Sequence, residues 1–432
     1  MSKAIMAIAI AASIASRAPV SAKPLHWNGP LTQAQVIARA QQSFDAQLAR
    51  LNVQSAAAQA QSALSQALPS VSISETTTNS TLVQLGMPSA RQTYASLNAS
   101  VPLFAPQAWA AARAAGEVAS AARATAAMEI DRAVMVAVQR YNAAGFAEAV
   151  VGARAIDVRD QQSHLAFTKE RVRAGAEPRY LIARDRASLA HAEQLEEDAR
   201  ADAARARYTL EVMLDIDVSS KPIFAFEALP LTFKPNVATL ERRAYAQRPD
   251  IVAARRALLA AKQGVARARA AYLPTISATV QSYNGYSNPA LGRSGAQIGI
   301  SASLPLFDAG TRSADTRIAQ ADYGRARVEL DRLRLQAKAD VLDAVRQIQA
   351  AQRNVSTAKA ELASANLELR ITKIRERAGK GIELEALDAL AAVASAREDV
   401  VRAQVRYSDS LAALHRSVGD YAPASYRSLP LK

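Results

Sequence analysis

The chain has 432 residues, of which 50% are hydrophobic but only 5% aromatic, so most of its apolar side chains are small and aliphatic. It contains 53 basic and 39 acidic residues, which gives a formal net charge of +14, and no cysteine. Without cysteine we expect no disulfide scaffold, thiolate metal site, cysteine nucleophile or lipid anchor on an N-terminal cysteine. The basic excess alone would suit nucleic acid or an anionic membrane surface as a partner.

The N-terminal residues predict an exported protein. Lys3 precedes an uncharged run from Ala4 to Ser16, and the small-residue sequence Val20-Ser21-Ala22 follows. This order is typical of a secretory signal peptide, which we predict at residues 1–22, with a buried N-terminal helix as the alternative. No other segment contains the ~18 uninterrupted apolar residues of a membrane helix, so a membrane form of this protein would use strands. Export also argues against nucleic acid as a partner.

The remainder of the chain is a tandem repeat. Three motifs recur in the same order at an offset of about 204 residues, which indicates duplication. Their corresponding positions are Pro69 and Pro274, Pro102 and Pro305, and Gly175 and Gly379. The four prolines mark predicted junctions between strands and helices, because proline cannot continue a helix.

Each repeat is predicted to contain a helix, two short strands, a long helix and a returning helix. The first repeat, residues 23–214, has expected helices at 31–68, 106–174 and 178–214 and strands at about 70–78 and 93–101. A linker at 215–236 leads to the second repeat, residues 237–421, with helices at 237–272, 308–378 and 382–419 and strands at about 275–283 and 296–304. Residues 422–432 form a C-terminal tail. The long helices, of about 70 residues and about 100 Å each, are typical of a coiled coil or bundle.

The predicted strands have one apolar and one small polar face. In the second repeat, Ile298 and Ile300 alternate with Gly299 and Ser301. Four such strands cannot close a barrel, and an open edge is not tolerated in lipid. Three copies would supply twelve strands with apolar side chains facing lipid. The fold class is therefore mainly α with a small transmembrane β part.

This organisation resembles the TolC family of outer membrane efflux proteins. The similarity covers Leu31 to Tyr421 and includes Leu-Pro-Leu-Phe-Asp-Ala-Gly at 304–310 and Arg-Pro-Asp-Ile at 248–251. It implies a homotrimer in the outer membrane of a Gram-negative bacterium, with a 12-stranded β-barrel that continues into a periplasmic α-helical barrel. It also implies three kinds of partner: a periplasmic adaptor protein, an inner-membrane pump or transporter, and outer membrane lipid.

The sequence gives no sign of an enzyme. The four histidines, His26, His164, His191 and His415, lack ligand-like spacing, and there is neither a phosphate-binding glycine loop nor a nucleophile elbow. We therefore expect no catalytic residue, cofactor or metal.

The second hairpin end contains candidate gate residues. Glu385 and Asp388 are three residues apart and share a helix face, while Leu384, Leu387 and Ala391 share another. Three chains would form two acidic rings that attract cations, in a pattern similar to the acidic gate of the TolC family. The alternative is a solvated acidic face beside Arg397.

The first hairpin end departs from this pattern. The positions equivalent to Glu385 and Asp388 are Leu181 and Arg184. We expect Arg184 or Arg179 to pair with Glu385 or Asp388, and we assign Arg184 and Asp185 to the gate.

Basic residues and glycines around both hairpin ends are candidate adaptor contacts, as the resemblance implies. They are Arg171, Arg173, Gly175, Arg375, Arg377, Gly379, Lys380 and Gly381. The alternative for the arginines is a favourable interaction with the helix dipole.

The predicted function is a passive exit duct of a tripartite efflux system, opened at its periplasmic end by the adaptor. Two alternatives are an exit duct for type I protein secretion and, in a different class, a periplasmic coiled-coil scaffold that binds polyanions. The alternating strands argue against the scaffold, which has no use for lipid-compatible strands.

Overall fold

The structure is a computed structural model that describes residues 26–80, 90–219, 221–224, 230–233, 236–285, 295–378, 380 and 383–421. In this part of the chain the strands are β1 (Asn28–Leu31), β2 (Ser70–Ser80), β3 (Ala90–Phe104), β4 (Lys221–Phe224), β5 (Thr275–Gly285) and β6 (Gly295–Ser303). The helices are α1 (Gln33–Ala40), α2 (Phe44–Ser65), α3 (Pro106–Arg173), α4 (Tyr180–Met213), α5 (Val237–Gln247), α6 (Pro249–Ala270), α7 (Thr311–Arg377) and α8 (Glu383–Val418). The fold is mainly helical, as expected. The predicted signal peptide and C-terminal tail lie outside the described residues.

Contacts group the chain into two compact units. The first unit comprises Met1–Arg39, Arg140–Glu227 and Ser364–Val401, and therefore includes the turns that end the long helices. The second comprises Ala40–Gln139, Ala228–Ala363 and Arg402–Lys432, and includes the sheet formed by β2, β3, β5 and β6.

Two helices that the sequence predicted as continuous are interrupted. The predicted helix at 31–68 is wrong, since Leu31 ends β1 and a break around Ser43 separates α1 from α2. Ser43 has an extended ψ of 166°, which stops the helical path. The predicted helix at 237–272 breaks at Arg248, whose ψ is 121°. Pro249 explains this break, because proline disfavours helical geometry in the residue before it and fits the first turn of the next helix.

The predicted linker at 215–236 contains a structured part. β4 pairs in parallel with β1, with Leu31 opposite Phe224. Just before it, the guanidinium of Arg39 donates to the backbone oxygens of Leu214 (2.8 Å) and Asp215 (3.0 Å). These contacts anchor the end of the first repeat within the first unit.

The start of α7 lies three residues later than predicted. Ala309 and Gly310 have positive φ angles of 53° and 90°, so the backbone there is left-handed rather than helical. The Asp308 side chain accepts hydrogen bonds from the backbone N–H groups of Gly310 (3.2 Å) and Arg312 (3.0 Å). It thereby satisfies N–H groups at the helix start that have no partner within the helix.

The Arg-Pro-Asp sequence at 248–250 organises the second unit. Arg248 pairs with Asp250 (3.0 Å) and with Asp340 of α7 (2.6 Å). Gly419 lies against this turn, with a φ of +78° and only 3.0 Å from the position of its missing Cβ to the Cα of Arg248. A larger residue would be strained there and would collide with the turn, so glycine is required.

Candidate functional site

The first candidate site is a four-stranded antiparallel sheet with two chemically different faces. Its strand order is β2-β3-β5-β6, and the register aligns residues into rows across all four strands. One apolar row consists of Val71, Ala99, Val280 and Ile298. The adjacent row, on the opposite face because side chains alternate along a strand, consists of Ser70, Ser100, Thr279 and Gly299.

The two faces of this sheet differ in the surroundings that they suit. On the apolar face, Ile73 is 79% exposed and Ile298 is 78% exposed, far more than core residues of a soluble domain. On the polar face, the hydroxyls of Ser277 and Ser301 hydrogen-bond across the strands at 2.9 Å. The sheet thus presents contiguous apolar surface on one side and hydrophilic surface on the other.

The edges of the sheet are open. Among the described residues, β2 pairs only with β3, and β6 pairs only with β5. Among these residues, both edge strands therefore present backbone N–H and C=O groups without partners, which is a ready template for pairing with another chain.

The prolines predicted as junctions differ in placement. Pro69 and Pro274 lie between a helix and the following strand, and Pro305 lies between β6 and α7, as expected. Pro102 lies inside β3, opposite Ser277, next to a bulge between Pro102 and Phe104. A bulge accommodates proline because its missing N–H group is not needed by the ladder at that point.

The second candidate site is formed by the ends of the helical hairpins, in the first unit. α3 ends in a Schellman motif, in which Ala176 N–H donates to Arg171 O (2.9 Å) and Gly175 N–H to Val172 O (3.1 Å). Gly175 has the left-handed φ of +73° that this motif requires. In the second repeat, Lys380 N–H donates in the same way to Arg375 O (2.9 Å). The duplicated sequence therefore produces related turns.

Glu385 and Asp388 lie on α8 with exposed side chains. Around these two residues, the side chains that α8 buries include Ala386, Ala389, Leu390 and Val393. The predicted apolar stripe was therefore wrong by about one position, because Leu384 and Ala391 are exposed and Leu387 is half-buried.

The expected ion pairs across the hairpin ends do not form within the protomer. Among the described residues, neither Arg179 nor Arg184 pairs with Glu385 or Asp388, and both arginines are exposed. Arg397, the neighbour proposed in the alternative interpretation, pairs instead with Asp160 of α3 at 3.4 Å. The two carboxylates of α8 are thus left available on an exposed surface.

Asp185, which we assigned to the gate, is buried within the protomer. It is only 1% exposed and faces His164 of α3, with 3.8 Å between its Oδ2 and the histidine Nε2. The other histidine nitrogen, Nδ1, lies 3.7 Å from Oε1 of Glu376 on α7. This cluster brings polar side chains of three helices together in a buried position, at distances longer than a hydrogen bond.

Sequence reasoning missed this cluster. His164, Asp185 and Glu376 lie far apart in the chain, and each occurs in an ordinary helical context. Only helix packing shows that they meet, since the local signal is limited to a polar residue on an otherwise buried face.

The candidate adaptor contacts fall into three groups. Arg171 is engaged within the protomer, because its guanidinium donates to the backbone oxygen of Glu376 (2.8 Å) and pairs with Glu177 (3.0 Å). Arg173, Gly175, Arg375 and Lys380 are exposed. The third group, consisting of Gly379, Gly381 and the side chain of Arg377, lies outside what the structure describes.

Solved bacterial channels share this fold. VceC from Vibrio cholerae is 20% identical, with a TM-score of 0.75 over 90% of this chain and 96% of that chain. CusC is 20% identical, with a TM-score of 0.79 over 92% of this chain and 94% of that chain. The open state of MtrE from Neisseria gonorrhoeae is 21% identical, with a TM-score of 0.76 over 90% and 88%. A comparison with curated protein sequences finds no match.

The second repeat resembles a known family. Residues 240–420 match the family model described as outer membrane efflux protein. This match lies within the second repeat of the chain. Among the described helices of the chain, none is long and apolar enough to cross a membrane.

Proposed function

We propose that the chain belongs to the outer membrane efflux protein family and forms a homotrimeric channel-tunnel in the outer membrane of a Gram-negative bacterium. The supporting observation is the four-stranded sheet, with its exposed apolar face and its two edges that lack partners among the described residues. In lipid every backbone polar group needs a partner, so the sheet must be completed by other chains. Three copies give twelve strands, which can close into a barrel with apolar rows toward lipid and polar rows toward water.

The duct continues into the periplasm as a barrel of helices and is passive. An inner-membrane pump or transporter supplies the energy, and a periplasmic adaptor opens the end of the duct. At that end, Glu385 and Asp388 of three chains form acidic rings that favour cations. The exposed cations Arg173, Arg375 and Lys380 provide contacts for the adaptor.

Two substitutions on adjacent residues of β6 test the orientation of the sheet. Ile298 lies in an apolar row and Gln297 in a polar row, and both side chains are exposed in the protomer. An arginine on the lipid face costs about 2–4 kcal/mol at the membrane midplane, whereas an arginine facing water costs little. We expect Ile298→Arg to impair insertion into liposomes and Gln297→Arg to insert normally with altered conductance. Equal insertion of both variants would contradict the proposal.

A further inference from the structure

A pocket of about 850 Å³ lies in the second unit, close to the end of the sheet where its strands join helices. Its walls come from the beginning of α3, the second half of α6 and the first part of α7. Pro106 and Leu273 place it directly beside the junctions with β3 and β5. Its volume lies in the range of about 300–1,000 Å³ that is usual for sites of drug-sized molecules.

The charged residues that line this pocket are all basic. Arg113 of α3 and Lys262 and Arg269 of α6 line it, and its lining includes no aspartate or glutamate. Lys262 and Arg269 are seven residues apart, so they lie on the same face of α6. None of the three cations forms an ion pair among the described residues, whereas Arg256 on the same helix pairs with Glu117 at 3.2 Å. The pocket therefore offers three uncompensated positive charges.

The pocket also has an apolar floor and two aromatic walls. Ala110 and Ala270 are buried and leave space above them. Trp109 is 38% exposed and Tyr323 lies on the wall formed by α7. The Trp109 ring is oriented by an edge-to-face contact with Phe104, at 5.6 Å between ring centroids. An oriented, partly exposed indole is a good surface for stacking of a flat apolar group.

From this combination we propose that the pocket binds amphipathic organic anions, with an aromatic body beside Trp109 and a carboxylate or sulfonate among Arg113, Lys262 and Arg269. Charge-assisted hydrogen bonds from these cations recognise the acid group, and the aromatic side chains recognise the body. The inference that this pocket lies on an export route rests on the proposed function. Binding of the anion to the pocket does not depend on that function.

The test uses the full-length assembly in nanodiscs of zwitterionic lipid, after its mass and its conductance have been measured. The probe is 1-naphthalenesulfonate, and 1-naphthol serves as the uncharged analogue in equilibrium dialysis. We expect wild-type protein to bind the sulfonate at least tenfold more tightly than the naphthol. The triple variant Arg113→Gln, Lys262→Gln, Arg269→Gln should lose this preference.

A matched triple variant controls for net charge. Arg123, Arg267 and Arg317 are exposed residues of the same unit that do not line the pocket, and their replacement by glutamine should leave binding unchanged. The proposal would be overturned if both triple variants bound 1-naphthalenesulfonate equally weakly. It would also be overturned if the pocket variant bound it as tightly as the wild type. Loss of binding in nanodiscs with anionic lipid would also overturn it, by assigning the pocket to lipid headgroups. If the assembly conducts but does not bind the sulfonate, this inference alone is refuted. If it binds the sulfonate but does not conduct, the proposed duct is refuted.

Discussion

Arg171 allows a quantitative prediction about the hairpin ends. Its guanidinium donates to the backbone oxygen of Glu376, at the end of α7, and pairs with Glu177 in the turn after α3. Since the last carbonyl groups of a helix lack partners within the helix, this contact both satisfies a carbonyl and links α3 to α7. Arg171→Met retains much of the side-chain volume and removes both contacts.

The cost of this substitution follows from the two contacts. A hydrogen bond from a charged donor is worth about 1.5–3 kcal/mol, and a partly exposed ion pair adds about 0.5 kcal/mol. If the open state of the duct lacks the link, losing about 2 kcal/mol raises the ratio of open to closed hairpin ends about 30-fold in each chain.

Single-channel recording in planar bilayers without an adaptor provides the assay. Arg171→Met should spend a much larger fraction of time open than wild type. Arg173→Met is the matched control, because the Arg173 side chain is 73% exposed and, in the described part of the chain, pairs only with Glu170 on its own helix. If the two variants gate alike, the link through Arg171 does not hold the ends closed, and the reasoning is refuted.

Three further predictions concern charge and backbone. The double variant Glu385→Gln, Asp388→Gln should reduce cation selectivity in reversal-potential measurements; unchanged selectivity would exclude the acidic rings. Burial raises the pKa of Glu211, so its ionised form costs stability at neutral pH. Glu211→Gln should therefore raise the melting temperature at pH 7, with a gain that shrinks as the pH falls and the wild-type carboxyl becomes protonated; a gain independent of pH would contradict this. Gly175→Ala should destabilise by about 1 kcal/mol in denaturant unfolding, because its φ is positive, whereas Gly152→Ala within α3 should be neutral or stabilising.

The sheet was predictable because its signal is local. Alternation of residues such as Ile298 and Gly299 assigns two faces to each strand, and a pairing that keeps all apolar side chains on one face follows. The ends of the long helices were predictable for the same reason, since Gly175 provides the left-handed residue that a Schellman motif requires.

The errors concern features that depend on tertiary contacts. Asp185 and Arg184 are adjacent in a helix, and only packing against α3 decides that the aspartate is buried and the arginine exposed. The break between α1 and α2 contains no proline or glycine from which it could be predicted. The strand β4 is four residues long, and its pairing with β1 depends on a partner almost 200 residues away.

The number of chains in the assembly tests the central claim most directly. Native mass measurement of the protein extracted by detergent from the outer membrane should give three chains per particle, because three copies of the four-stranded sheet supply the twelve strands of the proposed barrel. A particle with one chain would leave sheet edges open in lipid, and a particle with two chains would supply only eight strands, so either result would contradict the twelve-stranded barrel.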